Sequence, residues 1–213
     1  MRRIAIALTI MGTMLLGASS AQASTLTESG GIIYYVASQG ERNDVQVGVD
    51  SILGGTANVY SFKDADANPI SVTGGPCELI NGVGMCRQAF VTSFVIDARD
   101  RDDTITVSTA GNGVLPPLHV GALMIGGRGV DVLLGGLGND ILKGNDGRDS
   151  LRGREGVDIY KAGRGRDTLQ TLDGTRDAFI SCGDGNGDFL RKDKIDPSGR
   201  HCEHSNHKNV SKP

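Results

Sequence analysis

The chain has 213 residues and a formal net charge of −3 at pH 7, with 32 glycines, no tryptophan and only 4% aromatic residues. The acidic balance disfavours a nucleic-acid partner, because affinity for a phosphate backbone comes mainly from clustered Lys and Arg. So much glycine and so little aromatic material leave few bulky side chains for a thick core, so something other than core volume must hold the fold together.

Residues 1–23 have the order of a secretory signal peptide. Two arginines precede an apolar run over 4–17, and the segment ends Ala-Gln-Ala at Ala23. The run is shorter than the roughly 20 apolar residues that a membrane-spanning helix needs. Cleavage after Ala23 gives a mature chain that starts at Ser24, in which no segment is apolar for long enough to span a membrane. The prediction is a secreted, extracellular protein.

Residues 24–125 are predicted to form a β-rich region. Runs such as IIYYVA, DVQVGV and ANVYSF are separated by Gly, Asn and Asp, a pattern typical of strands and turns. Later runs lead directly into the repeat described below. This favours one elongated all-β domain that is irregular but solenoid-like in its first half; two separate domains are the alternative.

The four cysteines are expected to pair, because an exported chain meets an oxidising compartment. They are Cys77, Cys86, Cys182 and Cys202. Three connectivities are possible, and the sequence does not choose among them. We favour Cys77–Cys86 and Cys182–Cys202 because these disulfides close local loops, the second of which would cap the C-terminal end.

A nine-residue repeat fills residues 126–170. Cut every nine residues from Gly126, the chain reads GGRGVDVLL, GGLGNDILK, GNDGRDSLR, GREGVDIYK and AGRGRDTLQ. Every unit has Gly at its fourth position, Asp at its sixth and a bulky apolar residue at its eighth. The recurring glycine indicates a positive φ or a close approach, and the apolar residue marks a short strand with one inward side chain. Each unit is therefore predicted to be a turn plus a strand.

The aspartates at the sixth position are the candidate metal ligands: Asp131, Asp140, Asp149, Asp158 and Asp167. Stacked units bury a continuous apolar column, and two units complete one coil. Alternate aspartates then share an edge, with Asp131, Asp149 and Asp167 on one side and the other two opposite. Rows of carboxylates repel, and Ca²⁺, which takes about six to eight oxygen ligands, relieves that repulsion better than Mg²⁺ or Zn²⁺.

These units resemble the RTX, or haemolysin-type, calcium-binding nonapeptide repeat, and more closely the small exported calcium-binding repeat proteins of bacteria. The resemblance implies a right-handed parallel β-roll whose turn aspartates and turn carbonyls share Ca²⁺, and which becomes ordered when the ion binds. We expect the roll and its disulfide-closed cap to span residues 126–202. Besides the five aspartates, the residues assigned to the metal are Gly127, Gly129, Gly136, Gly138, Gly147 and Asp188.

Weaker repeats flank the regular ones. Residues 97–105 look like a unit whose glycines have been replaced, twice by Arg, with Asp103 in the metal position. The lost glycines argue against metal binding there. Downstream, Asp177 and Asp188 continue the pattern at spacings of ten and eleven, which predicts an added site near the end of the roll.

The turns also carry basic side chains. Those at variable turn positions are Arg128, Arg148, Arg164 and Arg166. A guanidinium could neutralise an edge in place of Ca²⁺, and residues 126–170 hold eight Lys or Arg against seven Asp or Glu. We therefore expect fewer occupied sites than aspartates, with the strongest around Asp131, Asp140 and Asp149, where the flanking glycines are best kept.

Residues 203–213 are predicted to be a disordered polar tail, in preference to a Zn²⁺ or Cu²⁺ site at His201, His204 and His207. The sequence as a whole favours a secreted calcium-binding protein and no enzyme, because it contains no GxSxG or HExxH motif. One alternative is an extracellular structural or adhesive rod with little metal dependence, bound to a cell-envelope protein or a glycan. Another is an accessory domain of an exported hydrolase.

Overall fold

The computed structural model describes residues 23–52, 57–65, 69–73, 75–87, 91–108 and 119–208. All regular structure in these ranges is β, which confirms the all-β prediction for them. They include no helix long and apolar enough to cross a membrane. The predicted signal peptide falls outside the described residues, apart from Ala23.

The strands are short and follow one another closely. In the first half the described strands are β1 (Ser24–Ser29), β2 (Ile32–Val36), β3 (Asp44–Ile52), β4 (Ala57–Asp64), β5 (Ile70–Thr73), β6 (Cys77–Ile80), β7 (Val83–Arg87), β8 (Ser93–Asp97) and β9 (Thr104–Val107). In the second half they are β10 (Ala122–Gly129), β11 (Val132–Leu134), β12 (Ile141–Gly147), β13 (Ser150–Arg152), β14 (Ile159–Gly165), β15 (Thr168–Thr171), β16 (Phe179–Gly185), β17 (Phe189–Asp193) and β18 (His204–Lys208).

The described strands form two sheets, and the chain alternates between them from β8 to β17. The first sheet has the order β16-β14-β12-β10-β8-β2-β1-β5, and the second β18-β17-β15-β13-β11-β9-β3-β4-β7-β6. From β8 and β9 to the C-terminal end, neighbouring strands run parallel. Each nine-residue unit thus supplies one strand, and the next unit on the same sheet lies directly beside it.

The same parallel stacking reaches into the N-terminal half. Strand β2 pairs in parallel with β8, and β3 pairs in parallel with β9, as strands of successive repeat units do farther along the chain. The pairs β1–β2, β3–β4 and β6–β7 are antiparallel hairpins of consecutive strands, whereas the antiparallel pair β4–β7 joins strands that β5 and β6 separate in the chain. The solenoid-like first half stays a prediction; β2, β3, β8 and β9 have the parallel pairing that it requires, and antiparallel strands extend the sheets beyond them.

One apolar column runs through the repeat region. Its members from the eighth positions, Leu133, Leu142, Leu151, Tyr160 and Leu169, are completely buried. Equivalent leucines align across the second sheet, where Leu133 lies beside Leu151 and Leu151 beside Leu169. The column is one side chain wide on each strand, which explains how a chain so poor in aromatic residues closes a core.

Disulfides hold both ends of this stack. Cys77 pairs with Cys86 between β6 and β7, and Cys182 of β16 pairs with Cys202, which is the connectivity we favoured. The structure differs from the predicted disordered tail in placing His204–Lys208 in β18, parallel to β17. The exposed edge of β17 offers unpaired backbone groups, and the disulfide at Cys202 holds the chain beside them. Residues 209–213 lie outside the described part.

Candidate metal centre

The turns between the sheets form two edges. The first edge comprises the turns at 98–103, 126–131, 144–149, 162–167 and 183–188, and the second those at 135–140, 153–158, 172–177 and 193–196. Each edge carries a ladder in which an aspartate Oδ1 accepts the backbone N–H of the residue one coil earlier. On the first edge the ladder aspartates are Asp103, Asp131, Asp149, Asp167 and Asp188, joined by bonds of 2.8–3.0 Å. On the second they are Asp140, Asp158, Asp177 and Asp196.

The ladders confirm that Asp131, Asp149 and Asp167 share one edge, while Asp140 and Asp158 lie on the other. They also reveal what the carboxylates do for the coil. A buried N–H needs an acceptor, and the aspartate Oδ1 supplies it at every step of the stack. The fixed position of the aspartate in each unit is therefore explained partly by the hydrogen bond that it accepts from a buried backbone N–H.

The second oxygen of most ladder aspartates is buried and accepts no hydrogen bond from any described residue. These Oδ2 atoms belong to Asp103, Asp131, Asp149, Asp167, Asp177 and Asp188. A buried charged oxygen left without a partner is unfavourable, by about 1–3 kcal/mol or more. Such a row of oxygens is suited to a cation.

Asp140 and Asp158 differ from the others. Asp140 Oδ1 accepts the Ala122 N–H and its Oδ2 accepts the Gly136 N–H, both at 2.8 Å, so both oxygens are paired. Asp158 Oδ2 lies 3.4 Å from the Tyr160 hydroxyl, which donates to it. Asp140, which we expected among the strongest metal ligands, therefore has the least unsatisfied carboxylate of the five.

Three carboxylates converge on the second edge. One oxygen each from Asp158, Asp173 and Asp177 lie within 4.8 Å of one another, and Asp158 and Asp177 are buried. The Oδ2 atoms of Asp173 and Asp177 accept no hydrogen bond from the described residues. The neighbouring turn orients Asp173, since Asp193 Oδ2 accepts the backbone N–H groups of Asp173 and Gly174. Oxygen-only donors in this number suit a hard divalent cation.

Burial makes these carboxyl groups reluctant to ionise. It raises the pKa of Asp158 and of Asp177 to about 8, with backbone N–H bonds opposing the rise and neighbouring carboxylates adding to it. The pKa of Asp173 rises to about 6 for the same first reason. On the first edge, burial raises the pKa of Asp131 to about 7 and that of Asp149 and Asp167 to about 6. Without a cation, the edges hold protons that ordinary aspartates have lost.

The raised pKa values predict how the stability of the calcium-free protein depends on pH. At intermediate pH the folded chain binds more protons than the unfolded chain, so proton binding stabilises the fold. This contribution to the free energy of unfolding is complete below the ordinary carboxyl pKa of about 4. It is lost as the pH rises through the folded-state pKa values of about 6 to about 8. Thermal unfolding in chelator across this range is expected to give a falling melting temperature, and a level or rising one contradicts the prediction.

Glycines keep the space beside the carboxylates open. A Cβ on Gly144 would meet both the Asp149 Oδ2 and the Ala162 carbonyl oxygen, and one on Gly135 would meet the Asp140 Oδ2 and the Gly153 carbonyl oxygen. The first glycine of these units therefore preserves a gap between a carboxylate and a carbonyl oxygen one coil away. A side chain at either position would fill the gap.

The degenerate unit at residues 97–105 adopts the turn of the regular repeats. Arg99 and Arg101 have φ values of 72° and 85°, on the positive side that glycine takes at Gly127 and Gly129 one coil later. The two turns are joined by a hydrogen bond from the Arg128 N–H to the Arg99 carbonyl. Asp103 is buried in the ladder, so this unit keeps the repeat's shape even though its glycines are gone.

Comparison with known families gives one match. A model of the RTX calcium-binding nonapeptide repeat, four copies long, matches residues 125–160, 134–169 and 152–175. Residues 125–175 are RTX repeats. Neither the curated proteins nor the solved structures gave a match.

The RTX match covers the five aspartates predicted from the nine-residue register and also Asp173, which that register missed. Of the five, the structure brings only Asp158 into a cluster of three carboxylates within its described residues. Asp131 and Asp149 lie in the first-edge ladder, beside the turns that carry Gly127, Gly129 and Gly147. Gly136 and Gly138 lie on the second edge. The signal for Asp173 was available in the motif LDGTRD, where two acids flank a turn glycine.

Proposed function

We propose that this protein is a secreted calcium-binding protein whose RTX repeats wind into a right-handed β-roll that Ca²⁺ orders after export. The observation that carries the proposal is the convergence of Asp158, Asp173 and Asp177, with two buried carboxylate oxygens that lack a described partner. The RTX match over residues 125–175 supports Ca²⁺ as the ion. In this proposal residues 126–202 are the roll with its cap, and residues 24–125 form the β-rich region before it.

The three clustered carboxylates would hold one Ca²⁺ on the second edge, where the oxygen-only donor set suits it. On the first edge, the unpaired oxygens of the ladder would hold further ions with the turn carbonyls of Gly127, Gly129 and Gly147. The proposed first-edge aspartates are Asp131, Asp149, Asp167 and Asp188. Asp140, with Gly136 and Gly138 beside it, is the weakest candidate because both of its carboxylate oxygens are already paired.

Ion binding and ordering are linked through charge. Each Ca²⁺ would replace protons on carboxyl groups whose pKa is raised, so its affinity increases with pH. Extracellular calcium modules bind at about 10⁻⁴–10⁻³ M, which keeps such a chain loose at low calcium and orders it outside the cell. The two disulfides agree with an oxidising destination. The N-terminal signal peptide that would take it there remains a prediction from residues 1–23.

Calcium is expected to raise the stability of the protein, and Mg²⁺ is expected to have little effect. At a free Ca²⁺ concentration about 100-fold above Kd, one site adds roughly 2.7 kcal/mol to the free energy of unfolding. Thermal unfolding of chelator-stripped protein, with each ion added separately, measures the effect. The control variant is Glu78→Gln, since that side chain is exposed on β6, at the opposite end of the second sheet from β17, and should leave the response intact.

An equal response to both ions would contradict selectivity for Ca²⁺. No response to Ca²⁺, together with no heat of binding, would overturn the proposal and favour the structural or adhesive rod. The ladder hydrogen bonds are compatible with a rod, because they hold neighbouring coils together through protein atoms alone. The cell-envelope protein or glycan expected for such a rod would then be the partner to seek.

A further inference from the structure

One basic side chain of the repeat region points into the stack. The Arg154 Nη1 donates to the carbonyl oxygens of Val107 and Gly135, both at 2.9 Å. These two carbonyls belong to successive coils before Arg154, so a single nitrogen joins three levels of the second edge. The side chain of Arg154 is half-buried, in contrast to the exposed Arg128 and Arg148 of the first edge.

The surroundings of Arg154 are those of a cation position. Carbonyl oxygens of two neighbouring coils converge there. Burial raises the pKa of Asp140 to about 6, and the positive charge of Arg154 acts against that rise. Both Asp140 oxygens are paired. Farther along, by contrast, Asp177 retains an oxygen with no partner among the described residues. Arg154 therefore offsets part of the cost of burying Asp140, whereas the charged neighbours that shift the pKa of Asp177 are carboxylates.

A second basic side chain acts in a similar way at the end of the same edge. The Lys192 Nζ is buried and donates to the carbonyl oxygens of Asp193 and Asp196 at 2.9 and 2.8 Å. The cluster of Asp158, Asp173 and Asp177 lies between the level of Asp140, which the Arg154 guanidinium reaches, and the level of Lys192. The second edge thus has protein cations at two levels and an unneutralised group of carboxylates between them.

We propose that the Arg154 guanidinium is a built-in substitute for a calcium ion, occupying the cation position formed by the Val107 and Gly135 carbonyls beside Asp140. This inference rests on the proposed function, because it assumes that the other carboxylates take Ca²⁺. Arg154 is then a permanent cation beside Asp140 on the second edge, and the exchangeable Ca²⁺ of that edge binds at the Asp158 cluster. On the second edge, the level of Asp140 is then neutralised without metal, and the calcium response of that edge is confined to the later coils.

The variant Arg154→Gly tests directly whether the Arg154 guanidinium takes the place of a Ca²⁺. It changes GREGVDIYK to GGEGVDIYK, which restores the paired glycines of the units that begin at Gly126 and Gly135. Arg154 has a φ of 71°, so glycine suits the backbone at least as well as arginine does. Isothermal titration of the purified protein is expected to count one more Ca²⁺ per chain than in the wild type. The matched control, Arg148→Ala, removes one exposed positive charge on the first edge and should leave the count unchanged.

The outcomes separate this inference from the proposed function. If the wild type binds Ca²⁺ and Arg154→Gly gains no ion, the inference fails and the function stands. If the wild type binds no Ca²⁺ and Arg154→Gly binds one, the replacement of Ca²⁺ by Arg154 is supported and the proposed function fails. An equal gain in Arg148→Ala would show a general effect of charge and overturn the inference.

A second measurement does not depend on the variant's folding. Amide hydrogen exchange of the chelator-stripped wild type is expected to leave the second-edge turn at 135–140 more protected than the turn at 172–177, since the Arg154 guanidinium neutralises the first of these levels and the carboxylate cluster lies at the second. Equal loss of protection across residues 126–202 would overturn the inference.

Discussion

Asp177→Asn is expected to stabilise the calcium-free protein at alkaline pH and to remove the part of its Ca²⁺ response that comes from the second-edge cluster. Asp177 is buried, its pKa is raised to about 8, and neighbouring carboxylates contribute to that rise. Asparagine removes the repulsion yet retains an Oδ1 that can accept the Asp158 N–H. It also removes one of three charged ligands of the cluster. The stabilisation of roughly 2.7 kcal/mol that Ca²⁺ at about 100-fold above Kd gives through this site should therefore be lost. The two effects have opposite signs.

Unfolding by denaturant above pH 8, once in chelator and once in excess Ca²⁺, measures both effects on one variant. Glu78→Gln also replaces a carboxylate by an amide, on an exposed side chain of β6 at the far end of the second sheet, and is the control. If Asp177→Asn is less stable than wild type in chelator and gains as much from Ca²⁺, then Asp177 has only a structural role in the ladder.

Leu151→Ala is expected to lower the free energy of unfolding by about 2–5 kcal/mol. The side chain is completely buried in the apolar column and lies between Leu133 and Leu169 of the adjacent strands. The column is narrow, so the neighbouring coils have little other apolar material with which to fill the cavity. Loss of one leucine therefore weakens the contact between coils on both sides.

Denaturant unfolding in saturating Ca²⁺ measures this loss without a contribution from metal release. Val130→Ala is the control, because Val130 is 51% exposed and its truncation should change the free energy by no more than about 0.5 kcal/mol. A loss below about 1 kcal/mol at Leu151 would mean that the column is not the main source of cohesion in the repeat region.

The periodic part of the fold was predictable because every unit places the same residue types at the same positions for the same structural reasons. Glycine at the turn, aspartate at the ladder and leucine in the column recur at fixed positions, so the register alone placed Asp131 and Asp140 on opposite edges and Leu151 inside. The same pattern identified the unit around Asp103 despite its lost glycines. The positive φ values of Arg99 and Arg101 indicate that stacking imposes the turn even on residues that disfavour it.

The interactions that the sequence did not reveal lie where the period breaks or where contacts span many residues. Asp173 follows a turn with altered spacing, so the nine-residue register assigned it no role. Arg154 was overlooked because its partner Val107 is 47 residues away and lies before the regular repeats. The hairpins of β3–β4 and β6–β7 obey no repeat, and β18 depends on an edge that exists only once the roll has formed.

The central claim, that Asp158, Asp173 and Asp177 hold Ca²⁺, is tested most directly by terbium luminescence. Tb³⁺ shares the preference of Ca²⁺ for oxygen ligands and emits when a nearby aromatic ring transfers energy to it. The chain has no tryptophan and four tyrosines, of which Tyr160 donates a hydrogen bond to Asp158. We predict emission that Ca²⁺ displaces, that Mg²⁺ leaves unchanged and that Tyr160→Phe abolishes. Absent emission, or emission undiminished in Tyr160→Phe, would contradict a metal at this cluster.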